Sequence, residues 1–555
     1  MHRYRGIRRG GAGPSAIRGR RLAPAALLVT IALATAACGG GSEPKSDTLD
    51  QLVIVSSDDP ATFAADSGGY SGKTQTSVVI NTQATLVRNP YIKDATTGVL
   101  KQDWSAFEGV LATSWDVGEN GLTYTFHLRE GVKSQAGNPF TADDVIWSFE
   151  RHYSADTSST QFVFAPYVSG LDAWKKIDEH TVSLTLQHAG DGITVLSLLS
   201  NLDAQIFDST FLKTKATPDD PFAVTWSKTE GGWGYGAYKM VSYTPGESVV
   251  LEANPNYPLG EPEIKKLTFK VVPEAGTRAA AIQAGDADVA LDLLPSQIAD
   301  LTGGSVQTYK QPTNQHIKMP LITTKAPFDN IAVRQAFAYA IPYDQIIENV
   351  YLGQAARMSS VLRPDSPNYV GTGLETIPYD PAKAKSILAE AGVQTPVAVE
   401  LTVNSGIPDA VDTAIQIQSS AEEAGFNVKI REIAPPEFSA GRNSGKFQAF
   451  LDRDSAFVMT PAYQLRLWTD KGSPFNLAQW ESKDFYAAMA TALAVPDSLG
   501  PEGMQKWNAV EQVWRKEAPI VFIANLFPAD ALRDGIEGFA TRSDMGIDYG
   551  NLTAG

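Results

Sequence analysis

The chain has 555 residues, 46 Lys+Arg against 62 Asp+Glu, and a formal net charge of −16. That length exceeds one small core, and 10 Trp, 19 Tyr and 23 Phe exclude a disordered chain. The acidic balance argues against nucleic-acid binding, and a single cysteine excludes both a disulfide framework and a cysteine-based zinc site.

The N-terminus reads as an export signal. Seven arginines and no acid precede an apolar run from Leu22 to Ala37. That run is shorter than the ~20 residues a membrane span needs. Thr35-Ala36-Ala37-Cys38 follows and resembles a bacterial lipobox, with Thr35 where leucine is usual. The reading is a signal peptide over 1–37, then a lipidated Cys38 on a flexible tether over 38–48. Cleavage would take the net charge from −16 to −23, since seven arginines leave.

Further along, Gln51–Ser56 is a buried-strand candidate opening into the polar turn Ser57–Phe63. Thr123–Arg129 alternates at period two, as a half-buried strand does. Thr141, Asp143 and Asp144 form a capped helix start before Val145, Ile146 and Phe149. Trp174–Ile177 with Thr181–Leu186, and Ala237–Tyr243 with Ser248–Glu252, read as hairpins. Ile264–Val272 and Ala287–Leu291 read as strands, and Ala275–Ala284 and Pro295–Leu301 as helices.

From about residue 312 a second α/β alternation begins. Val333, Ala336, Phe337, Ala340 and Ile341 share one helical face. Asp380-Pro381 caps a helix that Gly392 ends. Val397–Val403 and Phe426–Ile433 flank a helix over 409–424, and Phe447–Leu451 is a further strand. Helices follow near 462–468, 485–494 and 504–516, then the apolar strand Ile520–Ala524.

Catalytic and metal signatures are missing from the sequence. Its six histidines form no H-x-x-x-H pair, and G-x-S-x-G does not occur. Ser71–Thr74 imitates the end of a phosphate loop but lacks the upstream glycine, and reads as a loop. The expectation is therefore no catalytic residue, no metal and no cofactor; His316 reads as structural. A secreted hydrolase stays open as an alternative, as does an adhesin or sensor without transport.

Three motif groups carry a family resemblance. Leu111–Val132 runs through Pro139–Val145 to Arg151. Gly231–Lys239, Leu251–Tyr257 and Ala281–Ala290 form the second group. Ala326–Ile341 with Tyr379–Lys385 and Ala389–Gly392 forms the third. Together they resemble the family 5 extracellular solute-binding proteins, the oligopeptide-, dipeptide- and nickel-binding receptors of ABC importers. The resemblance implies a two-lobed α/β periplasmic-binding-protein-like fold, one lobe inserted into the other, with a two-segment hinge. Lobe 1 would hold 48–311 completed by 520–555, lobe 2 would hold 312–519, and the chain would cross near 310–316 and 516–522. It implies a monomer that delivers a small ligand, a peptide first, to importer permease subunits. The sequence departs from the family pattern at Ser134–Gly137 and at Asp452–Pro461. In peptide-binding relatives an aspartate of the latter segment holds the peptide amine, so a sugar, metal complex or opine-like solute stays open.

Candidate ligand residues are Asp452, Arg453 and Asp454, just past a predicted strand end. Asp452 and Asp454 should share one face, with Arg453 on the other. Trp233 and Tyr235 in the glycine-rich stretch, the Ser57, Asp58 and Asp59 turn, and Trp468 and Asn476 complete the expected set.

Overall fold

The computed structural model describes residues 50–555 apart from 68–71, 95–97, 155–162, 232, 302, 311–312, 364–365, 367–368, 370–373, 456 and 541. The signal peptide, Cys38 and the tether lie outside the described residues. No described helix is long and apolar enough to cross a membrane.

Two sheets organise the chain. A seven-stranded sheet has Gln51–Ser56 near its middle. That strand pairs in parallel with Lys266–Val271 on one side and Val289–Ala290 on the other. Its Leu-Val-Ile-Val run is apolar throughout because a strand with neighbours on both sides and cover on both faces meets almost no water. The hairpin Tyr238–Thr244 and Ser248–Ala253 extends the sheet at one edge. Ala531–Arg533 and Val306–Thr308 close the other. Asp288 has a structural task here. It accepts from the Val53 amide at 2.7 Å and pairs with Arg533 at 2.9 Å, which ties three strands together.

The second sheet has four antiparallel strands in the order Ala355–Ala356, Ile520–Leu526, Gln315–Pro320 and Asp452–Ser455. Beside it, Phe426–Ile433, Val397–Asn404 and Ala449–Phe450 form a parallel three-stranded sheet. The chain thus leaves the first sheet after Thr308, enters the second at Gln315, and returns between Leu526 and Ala531. This corrects the second expected crossing. Ile520–Leu526 is buried along its whole length and ladders with Gln315–Pro320, so the return falls about ten residues later than 516–522. An apolar strand needs two partners, and the central place in this sheet supplies them.

A separate four-stranded antiparallel sheet has the order Ala112–Val117, Thr123–Leu128, Thr181–Thr185 and Trp174–Asp178, two hairpins joined through their second strands. The expected cap is present: Thr141 and Asp144 form a capping box on helix Ala142–His152. The buried face of that helix carries Arg151, whose guanidinium holds Asp66 at 2.7 and 3.1 Å, both side chains fully buried. Lys73 and Thr74, expected in a loop, instead open helix Lys73–Thr82.

The lobes meet through side chains. Thr194 Oγ1 lies 2.7 Å from Thr460 Oγ1, and Asn201 Nδ2 donates to the Phe457 carbonyl at 2.9 Å. The Tyr167 hydroxyl donates to the Ala462 carbonyl at 3.4 Å. One apolar cluster runs from Leu86, Phe126 and Leu198 to Trp468, Trp507 and Phe522, so this four-stranded sheet and the helices of 461–517 share a core.

Candidate ligand-binding site between the lobes

Among the described residues, both lobes contribute to the walls of the following cavities. The first, of about 150 Å³, opens beside the crossing segments; Lys73, Asp292, Gln315, Arg453, Phe527 and Met545 stand around it. The second, of about 200 Å³, lies farther out between Val163–Tyr167 and Tyr463, Arg466 and Asp470–Ser473.

The first cavity carries charge on both walls. On the lobe 1 side, Lys73 at the start of helix Lys73–Thr82 reaches Asp530 at 2.6 Å and Asp292 at 3.5 Å. Burial alone would push the Lys73 ammonium down, but the two carboxylates outweigh it and hold its pKa above the ordinary value. Asp292 sits at φ 55°, a left-handed conformation that costs a non-glycine residue about 1–3 kcal/mol. Arg278 holds that turn in place. Its buried guanidinium donates to the carbonyls of Val272, Pro273, Leu291 and Asp292. On the lobe 2 side, Arg453 pairs with Asp409 at the start of helix Pro408–Ala421. The Arg453 Nε–H is buried and has no hydrogen-bond partner. A buried donor left unpaired costs about 1–3 kcal/mol, so Arg453, beside the cavity, has a donor left for an acceptor group.

The expected Asp452/Asp454 geometry is present, but their partners are not those of an open site. In strand Asp452–Ser455 both carboxylates project to one side and Arg453 to the other. Arg442 donates to Asp452 at 2.7 and 2.9 Å and to Asp454 at 3.0 Å. Lys318 from the neighbouring strand sits 2.9 Å from Asp454 and 3.6 Å from Asp452. Two cations of the chain therefore already meet both carboxylates. Burial pushes the Asp454 carboxyl up, but Lys318 and Arg442 outweigh burial and hold it below its ordinary value.

Trp468 is also accounted for within the lobe. It is 1% exposed, its ring lies 3.1 Å from the Lys318 ammonium, and its Nε1–H donates to Gln464. His316, facing the same cluster, is kept neutral: burial, then Lys318, push its pKa down to about 3. Asn476 organises a loop, donating to the carbonyls of Thr469 and Trp480.

Trp233 and Tyr235 do not line the cavity. Tyr235 is 0% exposed and packs on Phe140 at 5.1 Å; Trp233 packs on Phe211 at 4.6 Å. The glycines around them serve backbone approach instead. A Cβ on Gly236 would lie 2.3 Å from the Thr82 carbonyl carbon, so only glycine lets this stretch press on helix Lys73–Thr82. The Ser57–Asp59 turn divides. Ser57 donates to Asp292 at 3.3 Å and so reaches the cavity wall, while Asp58 accepts from Ser56 and the Thr74 amide. Asp59 turns away to accept from the Tyr243 hydroxyl at 3.2 Å.

Lys73, Asp292 and Asp530 escaped the sequence reading because they converge from positions far apart in the chain. The one local signal was the strand end before Asp292. No group of three or more His, Cys, Asp or Glu suited to a metal occurs among the described residues.

Two lobes, two crossing segments and a charged cavity beside them define a solute-binding receptor of the periplasmic-binding-protein class. The family profile of bacterial extracellular solute-binding proteins, family 5 (middle), matches residues 106–476, and the chain belongs to that family. It is 27% identical over 480 residues to heme-binding protein A of Haemophilus influenzae, covering 81% of this chain and 84% of that one. With the dipeptide-binding protein of Escherichia coli it shares 25% over 456 residues, covering 77% and 83%. Its fold is similar to NikA of Brucella suis in complex with Fe(III)-EDTA, with a TM-score of 0.77 at 19% identity over 91% of this chain and 100% of that one. It is likewise similar to the Helicobacter pylori periplasmic binding protein DppA in complex with the peptide STSA. There the TM-score is 0.74 at 22% identity, over 92% of this chain and 99% of that one.

Proposed function

We propose that the protein is an extracytoplasmic, lipid-anchored receptor that holds a small solute between its lobes and delivers it to the permease of an ABC importer. The family membership supports receptor function. The basic leader and Cys38 support export and anchoring, since lipid chains on one cysteine would tether a folded body without a spanning helix. The body would act as a monomer, with closure of the lobes as the state the permease reads.

The observation that carries the ligand site is the cavity beside the crossing segments. Its walls bring Lys73 and Asp292 from one lobe to Arg453 from the other, so an occupant with charge touches both lobes at once. Arg453, with its unpaired Nε–H, would take an acidic group of the ligand. Ser57 and Asp292 would take a donor. A small peptide carries both groups, and similar proteins are named dipeptide-binding and di/tripeptide-binding. A second reading, a non-peptide solute such as an opine-like compound, is favoured by Lys318 and Arg442 occupying Asp452 and Asp454.

Native mass spectrometry of the freshly purified mature protein tests this. The expected result is a bound small mass that leaves on denaturation. After ligand removal by unfolding and refolding, small-angle scattering should show a larger radius that shrinks when that compound is returned. Equal radii across a saturable titration would overturn lobe closure.

A further inference from the structure

A further cavity, of about 40 Å³, lies within the inserted lobe, apart from those between the lobes, and Arg357, Trp514 and Arg515 stand around it. Local sequence assembles half of it. Helix Pro501–Glu517 carries Trp514 and Arg515 in its last turn, Ala518 turns the chain at φ 49°, and strand Ile520–Leu526 follows. Helix end and strand start thereby face one space, with Ile520, Val521 and Phe522 as an apolar floor. The other half follows strand Ala355–Ala356, which pairs with Leu526 and Asn525 and delivers Arg357. Donors are in excess here. Arg357 donates through Nη1 to Asp344 at 2.8 Å and through Nη2 to the Ile377 carbonyl at 2.6 Å, while its buried Nε–H has no partner. Arg515 donates to the carbonyls of Ser359 and Glu375. The Trp514 Nε1–H is buried and has no partner.

Charge is out of balance in the same sense. Of the two guanidinium groups, Arg357 pairs with a carboxylate, and that partner, Asp344, is 83% exposed and screened by water. Glu511, one turn before Arg515, holds its proton up to about pH 7 because burial pushes its pKa up, so below that pH it supplies no countercharge. An anion corrects both deficits: its charge offsets the guanidinium groups, and its lone pairs take the free donors of Arg357 and Trp514. The space limits its size. One water needs roughly 10–15 Å³, so a cavity of about 40 Å³ admits only a few non-hydrogen atoms. The floor limits its chemistry. Sulfate or phosphate would press oxygens against Ile520 and Phe522, where no donor meets them, whereas an alkyl group fits there. We propose that this cavity binds a small monocarboxylate of two or three carbons, with its carboxylate on Arg357, Arg515 and Trp514 and its alkyl end on the strand floor. Every lining residue belongs to the inserted lobe, so the site is distinct from the solute cavity at Arg453 and stands whether or not that cavity holds the transported solute.

Titration calorimetry of the full chain below pH 7, with sodium propionate, propionamide and sodium sulfate at equal ionic strength, tests this. Propionate should bind saturably, in the millimolar range expected of so small a ligand. Propionamide keeps the shape and lacks the charge, and should bind at least about tenfold more weakly. Sulfate at the same concentration should not displace propionate. Arg515→Gln and Arg357→Gln should each weaken propionate about tenfold or more, since each removes a charge-assisted donor. Absence of saturable propionate binding, equal affinity for propionamide, or displacement by sulfate would overturn the proposal. Wild-type affinity in both variants would place propionate elsewhere on the protein and overturn it equally. Arg515 also ties two carbonyls together, so each variant is first checked by its melting curve. If Arg515→Gln does not fold, Arg357→Gln and the propionamide comparison decide the outcome.

Discussion

Glu511 offers a quantitative handle on how the inserted lobe is held together. It lies on helix Pro501–Glu517, is 0% exposed, and packs among Trp507, Val510 and Trp514. One carboxyl oxygen accepts from the Val361 amide at 3.3 Å, and the other has no partner. Burial, opposed by the Val361 amide, Arg515 and Ser360, pushes its pKa up from 4.5 to about 7. In the unfolded chain the group ionises near 4.5, whereas in the fold it keeps its proton until about pH 7. Between those values the native state binds more protons than the unfolded state, so stability falls as pH rises. The whole contribution is present below 4.5 and gone above about 7. The rise from 4.5 to about 7 corresponds to about 3 kcal/mol, since a tenfold change in proton affinity is worth about 1.36 kcal/mol. Glu511→Gln cannot ionise. Urea unfolding of wild type and variant from pH 4.5 to 8 should show the difference in unfolding free energy moving by about 3 kcal/mol in the variant's favour. Parallel curves across that range would refute the argument, because every other titrating group is common to both proteins.

Other outcomes follow from the same geometry. Asp66→Asn leaves the Arg151 guanidinium buried without its carboxylate and should cost about 3–5 kcal/mol in unfolding free energy, a loss that Asp66→Asn with Arg151→Met should largely relieve. Arg453→Gln should weaken the co-purified solute about 10- to 150-fold by calorimetry, the worth of a charge-assisted bond in a closed cavity, and unchanged affinity would remove Arg453 from the site. Cys38→Ser should move the protein from the membrane fraction into the soluble extracytoplasmic fraction without changing its melting temperature.

Local chemistry determined much of the fold in advance. The period-two run Thr123–Leu128, the Thr141 cap and the Asp380-Pro381 helix start lie within a residue or two of expectation, because each is decided by neighbours in sequence. The alternation of Asp452, Arg453 and Asp454 was legible for the same reason, since side chains two apart on a strand share a face. What those side chains touch was not legible. Lys318 reaches Asp452 and Asp454 only because strand Gln315–Pro320 pairs with them in one register, across more than a hundred residues of chain. Ile520–Leu526 was apolar enough to be read as a strand, but which sheet it completes depends on which edges stand open after the rest has folded. Trp233 and Tyr235 carried aromatic and glycine signals that a ligand wall and a packed core share; only the close approach of helix Lys73–Thr82 decides for the core. The cavity itself has no local signature at all. Lys73, Asp292, Arg453 and Phe527 meet because two crossing segments bring the lobes together, and a site built from such distant positions exists only in the folded chain.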